Sequence, residues 1–314
     1  RSSAARALML VLYVKLAFGT AVVLAPGWLL ARTLGVRSVS ASLAWALIAF
    51  TCFVSWICAV IAHNTVHSPV FKQRTLNKLF QVWGSLSYGF PISDYVPGHN
   101  LSHHRFTQLP EDVMRTTHVR FRWNLLNLLW FMPAVTPGIL RGNAHFREVM
   151  GDRAKPWRRQ LVLEGAAVWS VKLLCFALDW KKALLYVLVP HLFANWGIVC
   201  VNFLQHDGCD HEHPYNHSRN FVSKFFNWWT LNNGFHGIHH MIPGKHWSLL
   251  PAAHAELVAP HIHPALDQRS LFVYLWKTFI WPGRRVRFDG RPVIITEQAS
   301  DRDWVQPTDA VPEY

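Results

Sequence analysis

Long apolar runs alternate along this chain with stretches rich in charge and histidine. Four runs reach the length of about 20 residues that a helix needs to cross a bilayer. They cover approximately residues 8–31, 39–62, 161–178 and 183–204. The first is too long for the apolar core of a signal peptide and no small-residue cleavage site follows it, so it reads as a span. A fifth run, 124–140, is interrupted by Pro133 and Pro137 and reads as an interfacial or re-entrant helix. The pattern predicts an all-α integral membrane domain over 1–283. Its four transmembrane helices form two hairpins, and a charged, proline-containing tail follows over 284–314.

Composition agrees with this pattern. Hydrophobic residues make up 51% of the 314 and charged residues only 16%, against about a quarter in soluble domains. The sixteen tryptophans are the residue type that gathers where a protein crosses the membrane interface. Charge bias orients the spans. Segment 63–160 carries 13 Lys and Arg and the chain from Gln205 carries 10, whereas the short connections hold only Arg32 and Arg37, and Lys181 and Lys182. By the positive-inside rule the long basic segments and both termini are cytoplasmic, so a helical cap lies on that face. Lys15, near a span end, can snorkel. Glu164, Lys172, His191, Asn195 and Asn202 also fall in spans, and those around His191 and Asn195 are expected to face the bundle interior, because a polar group in lipid must be satisfied. The net charge of +13 comes without an Arg/Lys-rich tract, zinc finger or RNA-binding signature, so nucleic acid is not an expected partner. Five cysteines form no Cys-x-x-Cys pair and read as buried small hydrophobes.

The nineteen histidines are clustered. His63-Asn-Thr-Val-His67 follows the second span, His99-Asn-Leu-Ser-His103-His104 lies in the same basic segment, and His236-Gly-Ile-His239-His240 lies beyond the fourth span. Spacings of three and four put side chains on one helical face, so each box can present its imidazoles to one point. At this histidine frequency a given His-x-x-His-His arises by chance about 0.07 times per chain. His118, His145 and His191 stand alone and read as hydrogen-bonded core residues. His211, His213 and His217 repeat no box and read as loop or ligand-supporting residues. Asp94, Asp207 and Asp210 are candidates to orient imidazoles, with ordinary loop carboxylates as the plainer reading. Eight box imidazoles are too many for one tetrahedral zinc, although two zincs remain open. Imidazole also suits iron, which adds redox chemistry. Soluble di-iron bundles use Glu-x-x-His pairs, and this chain has none. A histidine-rich di-iron site at the membrane surface fits better.

The three boxes, in this order relative to the spans, resemble the membrane fatty-acid desaturase superfamily of desaturases, hydroxylases and decarboxylases, over about 39–251. The text Asn232-Asn-Gly-Phe-His-Gly-Ile-His-His and His246-Trp-Ser-Leu-Leu-Pro is similar to bacterial acyl-lipid members. Asn202-Phe-Leu-Gln-His206 resembles an element of acyl-CoA desaturases in which the histidine is a ninth iron ligand and the asparagine holds a metal-bound water. The resemblance implies two irons, with O2 as co-substrate, held by His63, His67, His99, His103, His104, His206, His236, His239 and His240, with Asn202 acting through water. It also implies desaturation of the fatty acyl chains of lipids or acyl thioesters in the bacterial inner membrane. Hydroxylation, decarboxylation and carotenoid oxidation remain alternatives, and a non-oxidative metal transporter would instead hold its ligands at mid-bilayer. With no nucleotide loop, iron–sulfur cysteine set or fused haem domain in the chain, electrons are expected from a separate ferredoxin or cytochrome b5-type donor.

Overall fold

The computed structural model describes residues 41–294 and 300–309. The expected span at 8–31 and the start of the one at 39–62 lie outside the described residues. The described chain is mostly helical and divides into two compact units. The first takes in the described residues up to Tyr95 together with Arg153–Ile198; the second takes in Val96–Asp152 and the described residues from Val199 onward. Among the described residues, two stretches are long and apolar enough to cross a membrane: Leu43–His67 and the helical run Asn124–His206.

In the first unit, helix α1 (Ala41–His67) carries its apolar sequence through box one without a break. Helix α2 (Arg74–Tyr88) ends at Gly89, whose φ of 91° lies in the left-handed region that favours glycine. Space demands glycine there as well, since a Cβ would sit 2.1 Å from Cγ of His191. Helix α3 (Ile92–Val96) follows, and α5 (Lys155–Ala183) returns to this unit. The backbone leaves helical conformation at Asp179 (φ −161°, ψ 93°), where the sequence puts the turn between the third and fourth runs. The Asp179 carboxylate accepts the Lys182 N–H at 3.1 Å and so starts the next stretch. A π-helical turn, Leu184–Leu188, then leads into α6 (Val189–His206).

Three polar residues of these apolar helices, Glu164, Lys172 and Asn195, find partners within the unit. Glu164 is fully buried and accepts the Ser93 N–H, the Ser93 hydroxyl and the Gln160 amide at 2.8–2.9 Å. Lys172 donates to the Gly89 carbonyl at 2.7 Å and lies over the rings of Phe90 and Trp169. Asn195 accepts the Tyr88 hydroxyl at 2.7 Å. For these three residues the lone-pair and proton demands that an apolar environment cannot meet are met inside the unit.

The second unit contains α4 (Asn124–Met150), one helix of 27 residues running straight through Pro133 and Pro137. The helix expected over 124–140 is present and continues to Met150. In the same stretch the Thr136 hydroxyl donates to the Met132 carbonyl at 2.7 Å, and the Cys200 thiol to that of Leu128 at 3.1 Å. Two short strands, β1 (Asn220–Phe221) and β2 (Asp267–Gln268), pair in parallel, with Asn220 opposite Asp267. Short helices follow: α7 (Lys224–Trp229), α8 (His236–Met241), α9 (Leu250–Leu257) and α10 (Leu271–Leu275).

Part of the expected tail is packed. Trp304 is buried, stacked on Phe146 and set against Gly142, where a Cβ would come within 2.7 Å of its indole nitrogen. Asp301 pairs with Arg115 at 2.5 Å and Asp309 with Arg105 at 2.7 Å. The indole therefore ties residues 300–309 to α4, and the two carboxylates tie them to the segment that begins with box two.

Candidate metal centre

Box one forms the last turn of α1 in the first unit. His63 is buried, and the rings of His63 and His67 lie 5.4 Å apart. The other two boxes and His206 all belong to the second unit.

Box two is wound as a π-helix, Pro97–His103, with His104 opening a short α-turn. In that wider winding residues five apart share a face. The Nε2 atoms of His99 and His104 accordingly approach to 3.1 Å, while His103 turns elsewhere. Box three lies on α8, where i, i+4 spacing brings the Nε2 atoms of His236 and His240 to 3.1 Å. The ring of His239, on another face, sits 4.8 Å from that of His104. Boxes two and three are thus each divided between two groups, and the expectation that each of these two aims at a single point is corrected. One group holds His99, His104 and His239; the other holds His103, His206, His236 and His240, whose ligand atoms all lie within 4.8 Å of one another.

The second group shows why these rings suit a metal. His206 Nε2 lies 2.9 Å from that of His236 and 3.1 Å from that of His240. Edges of about 3 Å are what ligand nitrogens show around an ion at about 2.1 Å. The protons point outward. His206 Nδ1 donates to the His217 carbonyl at 3.1 Å, and His103 Nδ1 to the Asp112 carboxylate at 2.9 Å. His240 Nδ1 donates at 3.2 Å to the Thr107 hydroxyl, which itself donates to the His103 carbonyl at 3.0 Å. A neutral imidazole that donates through Nδ1 keeps a lone pair on Nε2. Three lone pairs therefore converge in a buried space, and His103 Nε2 has no hydrogen-bond partner among the described residues. Converging lone pairs repel each other unless a cation sits between them, so this donor set fits a metal ion. Burial first, and then the crowding of His104, His236 and His206, holds the His240 pKa well below its usual value, which keeps the ring neutral and able to ligate. Burial lowers that of His217 to about 4, with His213 adding to the effect.

The supporting frame is largely polar backbone chemistry. Asp112 is fully buried and also accepts the N–H groups of Gln108 at 2.8 Å and Met114 at 2.7 Å, which fixes the carboxylate that orients His103. Box three is held from both sides. Gly237 N–H donates to the Asn220 side chain at 2.8 Å, and Asn220 donates to Asp267 at 2.8 Å. Asp267 also binds His254 at 3.0 Å, whose ring rests on Phe235. Gly234 lies so close to Phe221 that a Cβ would come within 2.2 Å of its carbonyl. Arg219 caps the end of α6 through the carbonyls of Leu204 and Asp207, at 2.6 and 3.0 Å.

Asn202, one turn before His206, donates to the Met114 carbonyl at 3.4 Å and has its side-chain oxygen buried. Of the candidate carboxylates, Asp207 pairs with Arg285 at 2.5 Å and Asp210 faces Arg287 at 3.6 Å. Asp112 orients a box imidazole instead. Its signal was its place nine residues after His103, beyond the turn at Pro110. Of the lone histidines, His145 is not a core residue but a half-exposed partner of Asp303 at 2.8 Å. His191 is buried and has no hydrogen-bond partner on either ring nitrogen among the described residues. A cavity of about 430 Å³ reaches His206 past Asp207, Arg285 and Arg287.

The sequence model of the fatty acid desaturase family matches residues 37–269. A sphingolipid delta(4)-desaturase, DES1 of Drosophila melanogaster, is 23% identical over 273 residues, covering 78% of this chain and 78% of its own. The family match takes in most of the chain and all three histidine boxes. This chain therefore belongs to the fatty acid desaturase family and is an oxidoreductase of the desaturase kind.

Proposed function

We propose that this protein is an O2-dependent di-iron enzyme that introduces a double bond into the fatty acyl chain of a lipid or acyl thioester. The observation that carries the reading is the division of boxes two and three into two imidazole groups, a number suited to two ions. On the family pattern we assign His63 and His67 to the same ligand set, together with His99, His103, His104, His206, His236, His239 and His240. Asn202 would act through a bound water. When bound, iron supplies the activation of dioxygen that removal of hydrogen from an unactivated C–H bond requires. The chain's own residues orient and protect. Asp112, Thr107 and the His217 carbonyl hold ring protons away from the lone pairs, and burial keeps bulk water from the group around His103.

We further place four spans in the membrane as two hairpins, with the site and both termini on the cytoplasmic side of a bacterial inner membrane. Two electrons come from the substrate and two from a separate ferredoxin or cytochrome b5-type donor, and both oxygen atoms leave as water. The test supplies isotopically labelled dioxygen, reductant and donor to membranes containing the protein, with acyl lipids, acyl thioesters and a sphingolipid in parallel. The sphingolipid is included because the fly relative is named for that class. A product lighter by two hydrogens and free of label supports desaturation. Label in the product would make the enzyme a hydroxylase instead, and a shortened terminal alkene a decarboxylase.

A further inference from the structure

The second unit carries a pair of short helices that start in register. Strands β1 and β2 are parallel, and three residues beyond the register pair Asn220 and Asp267 a serine N-cap stands on each chain segment. Ser223 receives the Phe226 N–H at 3.4 Å and Ser270 the Val273 N–H at 3.3 Å. The sequences that follow, Lys224-Phe-Phe-Asn-Trp-Trp and Leu271-Phe-Val-Tyr-Leu-Trp, place aromatic residues at matching offsets. Phe225 corresponds to Phe272 and Trp229 to Trp276. The inward side is packed, with Phe221 against both Phe226 and Tyr274, and Tyr274 against Phe279. The outward side is not. Phe225 is 69% exposed, Phe272 75%, Trp276 60% and Trp281 74%. Phe272, Trp276 and Ile280 recur every four residues along α10 and its π-helical extension Trp276–Ile280, so they share one face.

We propose that α7 and α10 form an interfacial anchor that lies in the headgroup layer of the membrane the chain spans. Single exposed apolar residues are ordinary, but a large aromatic cluster marks an interaction surface. Three observations select lipid. The apolar helix Leu271–Ile280 is too short to cross a bilayer, and its exposed face combines phenylalanine with indole, the residue of the interface. Lys224, Arg269, Lys277 and Arg284 flank the aromatics, and neither segment 222–235 nor 269–285 contains a carboxylate, which complements anionic headgroups. The anchor is also tied to the start of the apolar run Asn124–His206. Asn124 donates its N–H to the Gly283 carbonyl at 2.9 Å and its side chain to the Thr278 carbonyl at 3.2 Å, beside the exposed Leu126 and Trp130. The inference rests on the membrane reading of that run and adds to it a second, in-plane contact.

The test places spin labels on the full chain in nanodiscs of phosphatidylcholine and phosphatidylglycerol, using Phe225→Cys, Phe272→Cys and Trp276→Cys. Leu173→Cys reports on a span and Glu148→Cys on water. The unsubstituted chain, whose five cysteines are buried or half-buried, is the labelling blank. Collision with oxygen and with a water-soluble nickel chelate is then measured. The proposal expects the three anchor positions to show an oxygen-to-nickel ratio severalfold above that of position 148. Ratios equal to that of position 148, while position 173 reads as lipid, would overturn the anchor and leave the span reading intact. Shielding from both reagents would mean that a second copy of the chain covers this face, which also overturns it. An aqueous reading at position 173 would remove the membrane reading and the anchor with it.

Discussion

Asp112 shows how much one buried carboxylate does here. It accepts two backbone N–H groups and the Nδ1–H of His103, so it sets both the path of the loop and the tautomer of the ring. Asp112→Asn keeps the size and loses the charge-assisted bond. We expect metal affinity to fall about 10–100-fold, with helix content unchanged, as for other groups that orient a ligating imidazole. Metal titration followed by optical spectroscopy reads this directly, and wild-type affinity would reduce Asp112 to a loop-shaping residue. His103→Ala removes the ring itself, so turnover should vanish and metal content drop. His118→Ala, at a ring 3.9 Å from Asp301 and outside both imidazole groups, should leave both nearly unchanged.

The loop before box three and the strap near the C-terminus each carry a prediction of their own. At Gly234 any side chain must displace the Phe221 carbonyl and the Asn227 side chain, both of which hold that loop. Gly234→Ala should therefore shift α8, lowering the melting temperature and the metal content together. An unchanged metal content would show that the loop does not position box three. At the strap, Trp304→Ala leaves an indole-sized hole beside Gly142 and Phe146. A loss of about 3–5 kcal/mol is typical of such truncations, and local release of residues 300–309 would limit it. Limited proteolysis should detect new cleavage in that segment. Which winding a box adopts is also decided at this scale. The π-turn of box two pairs His99 with His104, a spacing that ordinary helical periodicity does not bring together.

For the whole molecule, buried imidazoles that repel one another when empty predict strong coupling between metal and stability. Chelation should lower the unfolding temperature well beyond the effect of chelator on an apo variant such as His236→Ala, and added ferrous iron should restore it. Calorimetry in detergent micelles checks this. Topology is tested by cysteine labelling of Ser2→Cys and Gln306→Cys in intact cells, where both should be protected from impermeant reagents. The boxes, the apolar helices and the basic segments were legible in the sequence, because spacing, run length and charge bias are local properties of the chain. So was the turn at Asp179, where a charged stretch breaks an apolar one. The continuity of α4 through its prolines was not legible, since a proline removes a helical hydrogen bond locally and only the packing of the folded unit decides whether the helix goes on. Nor was the division of boxes two and three between two imidazole groups. A spacing names residues that can share a helical face, but the winding of box two and the packing of α8 against the end of α6 decide where each lone pair points. The same holds for Asp112 and for the docked strap. Their partners are chosen by three-dimensional proximity and by the need of buried charges and ring protons for a complement, and the order of residues alone does not record that need.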